Sequence, residues 1–438
     1  MERDEKGFLE AANKARELAF SFKDPLVVHH YDADGLSSGA IVIGAFAKIG
    51  RVVRHQCIKK LDDVAIDSFI KNNEKEIIFV DLGGGNTRVN ELQDILIIDH
   101  HQTQGIEKFQ INPLLFGIDG GDEISAAGVA YCVFREYPEL AIVGAVGDMQ
   151  LPLKGMNRWI LQQGIESGRI RIENDLKLYG RYSRPLPQFL AYSDDPLLPR
   201  VAYSEEKAVE YLLQIGVKPT YENGSKRTYA NLTDPEKKKL VGSLAIMIGS
   251  KDKLMGESYI FPKRPMSECF EASGFSTLLN ACGRHSKEEI GLNVCLDEDE
   301  NAYREAEVLL SEHRRMLREG IVFVSSNMQD LGKFYFVDGR GIVDEGVIGI
   351  VCGMKSGKKN DKIIIGVANG ERETIKISGR ASKKLVENGV NLGLMMSSAT
   401  KVIGNGAIGG GHRMAAGASI PKDKINEFLI EIGKLIIE

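Results

Sequence analysis

The sequence predicts an α/β protein with three segments: a parallel-sheet domain that has helices on both faces, a helical middle segment, and a smaller mixed α/β domain. Short apolar runs alternate with helix-length segments over the first 150 residues. Apolar positions then recur at helical spacing, and strand-like runs return from Ile321 onward. Apolar strands that alternate with helices are typical of a parallel sheet covered on both faces. We place the domains at residues 1–190, 191–320 and 321–438.

The first domain alternates strands and helices in chain order. Its apolar runs have the length of strands, and the segments between them have helical length or spacing. The predicted strands are Leu26–Val28, Arg51–Ile58, Lys75–Asp81 and Asp94–Asp99. The predicted helices are Gly39–Ile49, Leu61–Asn72, Ile124–Tyr137 and Leu140–Asp148.

The rest of the chain changes from helical to mixed patterning. The predicted helices of the middle segment are Glu205–Ile215, Asp234–Ile248, Glu268–Cys282 and the long, charged Glu300–Gly320, which we expect to connect to the last domain. Five later runs predict strands: IVFVSS (321–326), KFYFVD (333–338), IGIVCG (348–353), KIIIGVA (362–368) and TIKISGR (374–380). A helix at 391–402, a glycine-rich loop at 404–411 and a closing helix complete the prediction.

The composition predicts a soluble protein of the cytoplasm. The chain has 438 residues, 43% apolar and 27% charged, and its apolar runs are too short to cross a bilayer. The N-terminus is charged and lacks a secretory apolar core. The six cysteines form no CxxC pair, which favours core positions in a reducing compartment. A formal net charge of −5 argues against a generally basic nucleic-acid-binding surface, so we expect any nucleic-acid site to be local.

Acidic and imidazole side chains follow three of the predicted strands. The segments LVVHHYDADG, IIFVDLGGG and ILIIDHHQT each carry them just past an apolar run, and the run AIVGAVGD ends in a further Asp. Because the carboxyl ends of parallel strands share one edge of the sheet, where ligands bind, we expect these side chains to converge. The predicted cluster comprises His30, Asp32, Asp34, Asp81, Asp99, His100, His101 and Asp148.

Such a cluster suits divalent metal ions. Closely packed carboxylates repel each other, and cations remove that repulsion. Carboxylates with a few imidazoles favour Mn²⁺ or Mg²⁺. In an extended segment Asp32 and Asp34 would lie on the same side, so we expect each to serve a different ion. Two ions about 3.5–4 Å apart can clamp a phosphoryl group and activate water, so we predict two divalent cations.

Each cluster alone also has an ordinary structural explanation. A single Asp after a strand, such as Asp81 or Asp148, is usually a turn residue or a helix N-cap, and DADG alone could be a turn. An isolated His pair is more often a surface or core feature than a pair of ligands. Asp-His-His directly after four apolar residues is harder to explain in this way, since burying three polar groups without partners is costly.

The ordered motifs resemble a known family. HYDADGLSSG, VDLG, IDHH and AVGD resemble the four metal motifs of the DHH phosphoesterase superfamily. SGRAS (378–382) and GGGHRMAAG (409–417) resemble the DHHA1 substrate-binding domain of its RecJ-like branch. STLLNACGRH (276–285) and the following helix most resemble archaeal RecJ-like nucleases. The resemblance covers almost the whole chain, least in the middle segment.

The resemblance implies a role for each residue of the cluster. His101 would lie beside the scissile phosphate, and Asp99 would orient an imidazole. One metal ion would be bound by His30, Asp32 and Asp81. The other would be bound by Asp34, the same Asp81, His100 and Asp148. His29 remains an alternative to His30, because members of the superfamily differ at this position.

The resemblance also implies substrate-binding residues in two other places. Consecutive glycines let backbone N–H groups approach a phosphate closely, and an Arg side chain matches phosphate oxygens. The glycine-rich segment alone is more typical of a flexible hairpin. In the last domain the residues are Ser378, Arg380, Gly409, Gly410, Gly411 and His412. In the middle segment they are Asn280 and Arg284.

The implied function is a metal-dependent exonuclease that hydrolyses single-stranded DNA or RNA from an end, in replication, repair or RNA processing. A cleft between domains would exclude duplex, and some relatives bind the GINS replication complex. Two alternatives remain: a phosphodiesterase for short oligonucleotides or cyclic dinucleotides, and a non-catalytic replication scaffold. The helical middle segment adds over 100 residues that a small-substrate enzyme would not need, which favours the exonuclease.

Overall fold

The computed structural model describes residues 3–193, 196–264, 267–296, 300–356, 361–370, 373–404 and 406–436. The chain divides into two compact units, Met1–Leu310 and Ser311–Glu438. The division into three segments stays a prediction. Among the described residues, every helix is too short or too polar to span a bilayer.

A fully parallel sheet forms the centre of the first unit, as predicted, and it has five strands where the sequence predicted four. The strands are β1 (Leu26–His30), β2 (Arg54–Ile58), β3 (Glu76–Val80), β4 (Asp94–Ile98) and β5 (Phe109–Ile111). Their order across the sheet is β2-β1-β3-β4-β5. The strands β1, β3 and β4 lie at the centre and are almost entirely buried, which is why they are continuous apolar runs.

Helices cover both faces of this sheet. Alternate strand residues belong to two separate cores: Val27 and Ile78 pack on one face, whereas Val28 and Phe79 pack on the other. The first helices are α1 (Glu5–Ser21), α2 (Ala33–Lys48), α3 (Asp63–Lys71), α4 (Ala126–Phe134), α5 (Pro138–Gly147) and α6 (Gly155–Glu166). Short 3-10 helices occur at Thr87–Glu91 and Pro113–Phe116.

The remainder of the first unit is mostly helical. An antiparallel pair, β6 (Arg171–Leu176) and β7 (Met255–Ile260), brackets a small bundle with its own apolar core. The helices are α7 (Leu186–Ala191), α8 (Glu205–Gln214), α9 (Asp234–Ile248), α10 (Ala272–Arg284) and α11 (Glu288–Leu296), with a 3-10 turn at Tyr229–Asn231. The core of the bundle includes Phe189 stacked on Tyr229, whereas α10 packs against α5.

The second unit contains a six-stranded mixed sheet. Its order is β12-β13-β11-β10-β9-β8, with β9 and β10 parallel and the other neighbours antiparallel. The strands are β8 (Gln329–Asp330), β9 (Phe334–Asp338), β10 (Ile363–Asn369), β11 (Thr374–Arg380), β12 (Ile408–Gly411) and β13 (Ala415–Pro421). The long helix α12 (Glu300–Asn327) begins in the first unit and ends in the second. The other helices of the second unit are α13 (Glu345–Ser356), α14 (Lys383–Glu387), α15 (Leu392–Ile403) and α16 (Ile425–Leu435), and a 3-10 turn spans Lys422–Lys424.

Two of the predicted strands are helices. The run 321–326 continues α12, and the run 348–353 lies within α13. Short apolar runs rich in Val and Ile do not distinguish a buried strand from a buried helix, so the tertiary packing decides. In α13, a Cβ at Gly349 would meet Ser378 and Arg380 of β11, and Gly366 of β10 leaves room for the helix. The glycines therefore serve close packing of helix on sheet. Part of the glycine-rich segment 404–411 is also a strand, β12.

Candidate metal centre

The acidic and imidazole residues meet at the carboxyl edge of the parallel sheet. β1 ends at His30, and Asp32 is the N-cap of α2, where its Oδ1 accepts a hydrogen bond from Gly35 N at 3.0 Å. His30 Nδ1 lies 3.0 Å from Asp32 Oδ2 and 3.3 Å from Asp81 Oδ2. The turn after β1 and the end of β3 thus form one group of possible ligands.

Asp81 belongs to both sides of the cluster. It follows β3 in the left-handed region, with a φ of 62°, and it is only 3% exposed. Its N–H donates to the carbonyl of Ile98 on β4 at 2.9 Å, which attaches it to the neighbouring strand. Its Oδ2 faces His30, whereas its Oδ1 lies 3.4 Å from His100 Nε2. One carboxylate therefore connects two groups of possible ligands.

His100 forms the second group with Asp34 and Asp148. Its Nδ1 lies 2.6 Å from the carbonyl oxygen of Gly120; since a carbonyl only accepts, Nδ1 is the donor. Its Nε2 faces the carboxylates, 3.3 Å from Asp148 Oδ2 and 3.7 Å from Asp34 Oδ2. Asp148 is the C-cap of α5, so a helix end carries this ligand to the sheet edge.

Asp34 is buried where three helices meet. It lies in the first turn of α2, and its oxygens accept hydrogen bonds from Ala126 N and Ala127 N at 2.7 and 2.9 Å. These N–H groups begin α4, where the helix dipole favours a negative charge. Gly144 of α5 gives the carboxylate room, because a Cβ there would lie 2.1 Å from Asp34 Oδ1.

The carboxylate of Asp99 is engaged in hydrogen bonds, one of which orients His101. Its Oδ1 lies 2.8 Å from His101 Nδ1 and accepts the N–H of His100 at 2.8 Å, while its Oδ2 accepts Gly84 N at 2.9 Å. Although burial opposes ionisation, the hydrogen bond from His101 lowers the pKa of Asp99 below its ordinary value. The His101 side chain is 51% exposed, so its other nitrogen is accessible.

The charges of the cluster are unbalanced without a cation. Burial and the charge of Asp81 raise the pKa of Asp34 to about 7, and burial together with Asp34 raises the pKa of Asp148 well above its ordinary value. Burial lowers the pKa of His30 and His100, but the adjacent carboxylates outweigh it, so both pKa values rise. Neighbouring carboxylates that resist ionisation are what a bound divalent ion would relieve.

The donor atoms fit a divalent metal ion. Asp81 Oδ1 and His100 Nε2 are buried, and neither has a hydrogen-bond partner among the described residues. Oxygen donors with a few imidazoles suit Mn²⁺ or Mg²⁺. Three groups have ligand atoms within 4.8 Å of one another: His30, Asp32 and Asp81; Asp34, His100 and Asp148; and Asp81, Asp99, His100 and His101.

The alternative ligand His29 lies outside these groups. It is fully buried, its Nδ1 is 2.9 Å from the carbonyl oxygen of His30, and its ring packs where a Cβ at Gly39 of α2 would be. Burial lowers its pKa to about 4. The structure thus brings His30, and not His29, to Asp32 and Asp81.

The side chain of Asn280 contacts the backbone of the site. Its Oδ1 accepts a hydrogen bond from Ala33 N at 3.1 Å, so α10 holds the turn between Asp32 and Asp34. Arg284 ends the same helix and is partly exposed. Direct binding of substrate by Asn280 and Arg284 stays a prediction.

Sequence patterns gave no indication of Gln150. This residue is 2% exposed, and its Nε2 donates to the carbonyl oxygen of Gly120 at 2.9 Å, the same oxygen that accepts from His100. Gln150 lies only two residues after Asp148, but this spacing does not indicate that its side chain contacts Gly120.

The predicted substrate residues of the second unit lie on neighbouring strands. Ser378 on β11 pairs with Gly417 on β13, which pairs with Gly410 on β12, so the three form one row across the sheet. Arg380 lies two residues along β11 and packs on Gly349 of α13. Gly409 and Gly411 flank Gly410 on this exposed edge strand, and His412 follows it and is exposed.

Family models match three parts of the chain. The N-terminal domain of the DHH family matches residues 25–148, the DHH-CID domain matches residues 178–252, and the DHHA1 domain matches residues 332–438. A protein of Methanocaldococcus jannaschii, itself uncharacterized, is 32% identical over 429 residues, which is 94% of this chain and 93% of that protein.

RecJ is among the relatives. The single-stranded-DNA-specific exonuclease RecJ of Thermus thermophilus is 28% identical over 184 residues, 36% of this chain and 27% of that protein. The solved structure of T. thermophilus RecJ with Mn²⁺ matches with a TM-score of 0.61 and 18% identity, covering 98% of this chain and 54% of RecJ. CDC45 from Entamoeba histolytica has the same fold, with a TM-score of 0.66, 14% identity and 98% of each chain covered. This chain belongs to the DHH phosphoesterase superfamily, in its RecJ-like branch.

Proposed function

We propose that the protein is a metal-dependent exonuclease that hydrolyses phosphodiester bonds of single-stranded DNA or RNA from an end. The observation that carries this proposal is the position of Asp81, which joins the group of His30 and Asp32 to His100 of the second group. A shared carboxylate between two sets of ligands suits a pair of ions on one phosphoryl group. The relationship to RecJ, a single-stranded-DNA-specific exonuclease in T. thermophilus, supports the choice of substrate.

The ligands of the proposed centre divide into two sets around Asp81. His30 and Asp32 would hold one Mn²⁺ or Mg²⁺ ion, and Asp34, His100 and Asp148 would hold the other. When bound, the ions supply positive charge for the phosphate and activate a water molecule for attack. T. thermophilus RecJ has been solved with both Mn²⁺ and Mg²⁺, which supports this choice of metals.

His101 is the proposed proton donor to the leaving oxygen. Burial lowers its pKa, but the hydrogen bond to Asp99 outweighs burial and raises that pKa. The imidazole therefore holds its proton to a higher pH than a free one. Because Nδ1 is engaged by Asp99, Nε2 is the nitrogen that can approach the scissile phosphate.

The proposed centre predicts a preference among ions. Mn²⁺ should support full turnover, and Ca²⁺ should support much less, because its longer bonds and flexible coordination position the attacking water poorly. Initial rates with each ion after removal of metal by EDTA measure this preference. Full turnover with Ca²⁺ would contradict the proposed centre.

The second unit is proposed to hold the nucleic-acid strand through the row of Ser378, Gly417 and Gly410. Two glycines of β12 have structural reasons to lack a side chain: a Cβ at Gly409 would lie 2.7 Å from the Met396 carbonyl, and Gly411 has a φ of 134°. At Gly410, the described residues leave the space around a Cβ empty within 4 Å. Packing does not explain this glycine, whereas close approach of a phosphate to the backbone would.

Replacing Gly410 by alanine should therefore weaken substrate binding without unfolding the protein. We expect KM for a single-stranded oligonucleotide to rise about tenfold, as for the loss of one hydrogen bond to a charged group. Gly409→Ala is the contrasting variant and should lower the melting temperature. An unchanged KM for Gly410→Ala would remove β12 from the proposed substrate site.

End-labelled oligonucleotides test the function directly. Linear single-stranded DNA and RNA of graded length should be shortened from an end, whereas circular single strands and blunt duplexes should resist. Cleavage that is confined to dinucleotides or cyclic dinucleotides would favour the small-substrate phosphodiesterase. Absence of cleavage with Mn²⁺ bound would favour a scaffold, although each proposed ligand position carries a side chain able to bind metal. Roles in replication or repair, and binding of GINS, stay predictions from the family resemblance.

A further inference from the structure

We propose that Gln150 is a positioning residue that sets the distance between His100 and Asp148, and thereby the affinity for the metal ion that these two ligands share. The inference rests on the proposed metal centre. Gln150 lies two residues after Asp148 and is 2% exposed, so it has no access to substrate. Its effect must therefore pass through its neighbours.

A single carbonyl group joins the ligand His100 to Gln150, which lies two residues after the ligand Asp148. Gly120 O accepts hydrogen bonds from His100 Nδ1 at 2.6 Å and from Gln150 Nε2 at 2.9 Å. The imidazole that follows β4 and the segment that follows α5 are thus attached to the same atom. The resulting distance between His100 Nε2 and Asp148 Oδ2 is 3.3 Å.

The amide of Gln150 is itself fixed in orientation. Asn157 Nδ2 on α6 donates to Gln150 Oε1 at 2.7 Å, so the NH₂ group of Gln150 must face Gly120. Asn157 is fully buried, and its own N–H donates to the carbonyl of Glu123 at 2.7 Å. A buried series of hydrogen bonds therefore runs from α6 through Gln150 to the carbonyl that orients His100.

The absence of a side chain at Gly120 lets its backbone contact the backbone of His100. A Cβ at this position would lie 2.1 Å from the carbonyl oxygen of His100, so the two backbones are in direct contact. A small displacement of Gly120 would consequently move His100. Hydrogen bonds that orient a ligating imidazole commonly change metal affinity about 10–100-fold when they are removed.

The test is a comparison of Mn²⁺ affinities, measured by calorimetric titration of the metal-free full chain. Gln150→Met keeps the side-chain length but removes the donor to Gly120. Because the hydrogen bond from His100 to Gly120 remains, we expect the dissociation constant for Mn²⁺ to rise about tenfold, the lower end of that range. This variant also leaves the Asn157 amide without its acceptor. The double variant Gln150→Met with Asn157→Leu removes both polar groups and should recover thermal stability. Its Mn²⁺ affinity should stay low.

Tyr229→Phe is the matched control. It removes one partly buried hydrogen bond, from the hydroxyl to Asp175, at a residue that belongs to the separate apolar core of the helical bundle. It should lower the melting temperature and leave the affinity for Mn²⁺ unchanged. Wild-type affinity in Gln150→Met, or recovery of affinity together with stability in the double variant, would overturn the inference while leaving the proposed function intact. A wild-type protein that binds no Mn²⁺ would overturn both.

Discussion

Replacing Asp81 by asparagine should abolish cleavage, with kcat/KM falling by about 10³-fold or more. Asp81 is the carboxylate that both groups of ligands share, so its loss affects both proposed ions. Asparagine is the appropriate replacement because it tolerates the left-handed backbone, with φ at 62°, better than alanine.

The same variant should retain its fold. Removal of the Asp81 carboxylate relieves repulsion on Asp34 but also removes an attraction to His30 and His100. Because these effects oppose each other, we expect a melting temperature close to the wild-type value without metal, and loss of the further stabilisation that Mn²⁺ gives to the wild type. Asp94→Asn, at the exposed start of β4, is the control for loss of an acidic group. Substantial cleavage by Asp81→Asn would exclude the proposed arrangement of ligands.

Replacing His101 by alanine should lower kcat by about 10²–10⁴-fold, the usual contribution of a positioned proton donor. The residue is half exposed and is anchored by Asp99. Its removal takes one hydrogen bond from the buried Asp99, so the melting temperature should fall, and KM should change less than kcat.

Metal affinity distinguishes His101 from the ligands. Because Nδ1 of His101 is occupied by Asp99, we expect the dissociation constant for Mn²⁺ to stay within about twofold of the wild-type value, whereas Asp81→Asn should weaken binding severely. Parallel calorimetric titrations of the two variants measure the difference. A similar loss of Mn²⁺ affinity in both variants would make His101 a ligand rather than a proton donor.

The parallel sheet and the convergence of the cluster follow from local patterns. Strands β1, β3 and β4 are apolar runs because they are buried on both faces, and their carboxyl ends share one edge by the geometry of a parallel sheet. Polar residues placed directly after such runs, such as Asp81 and His100, can therefore be assigned to one site without coordinates.

The second unit was less predictable. The runs 321–326 and 348–353 have strand-like composition but form parts of α12 and α13. The run 348–353 is mostly buried, and burial makes a helix and a strand equally apolar over six residues, so the choice is made by the surface against which the segment packs. For α13, that surface is the sheet beside Ser378 and Gly366. The run 321–326 buries Ile321 and Val324 and exposes Val322, which is the spacing of one face of a helix.

The sequence by itself determined which residues have metal-binding chemistry and at which edge of the sheet they meet, because strand direction and burial are encoded locally. Only the tertiary structure decided how these residues are held. The contact of Asn280 with Ala33 joins positions 247 residues apart, and Gln150 is linked to His100 through the carbonyl of Gly120. Such contacts depend on the packing of distant helices, and spacing along the chain carries no record of them.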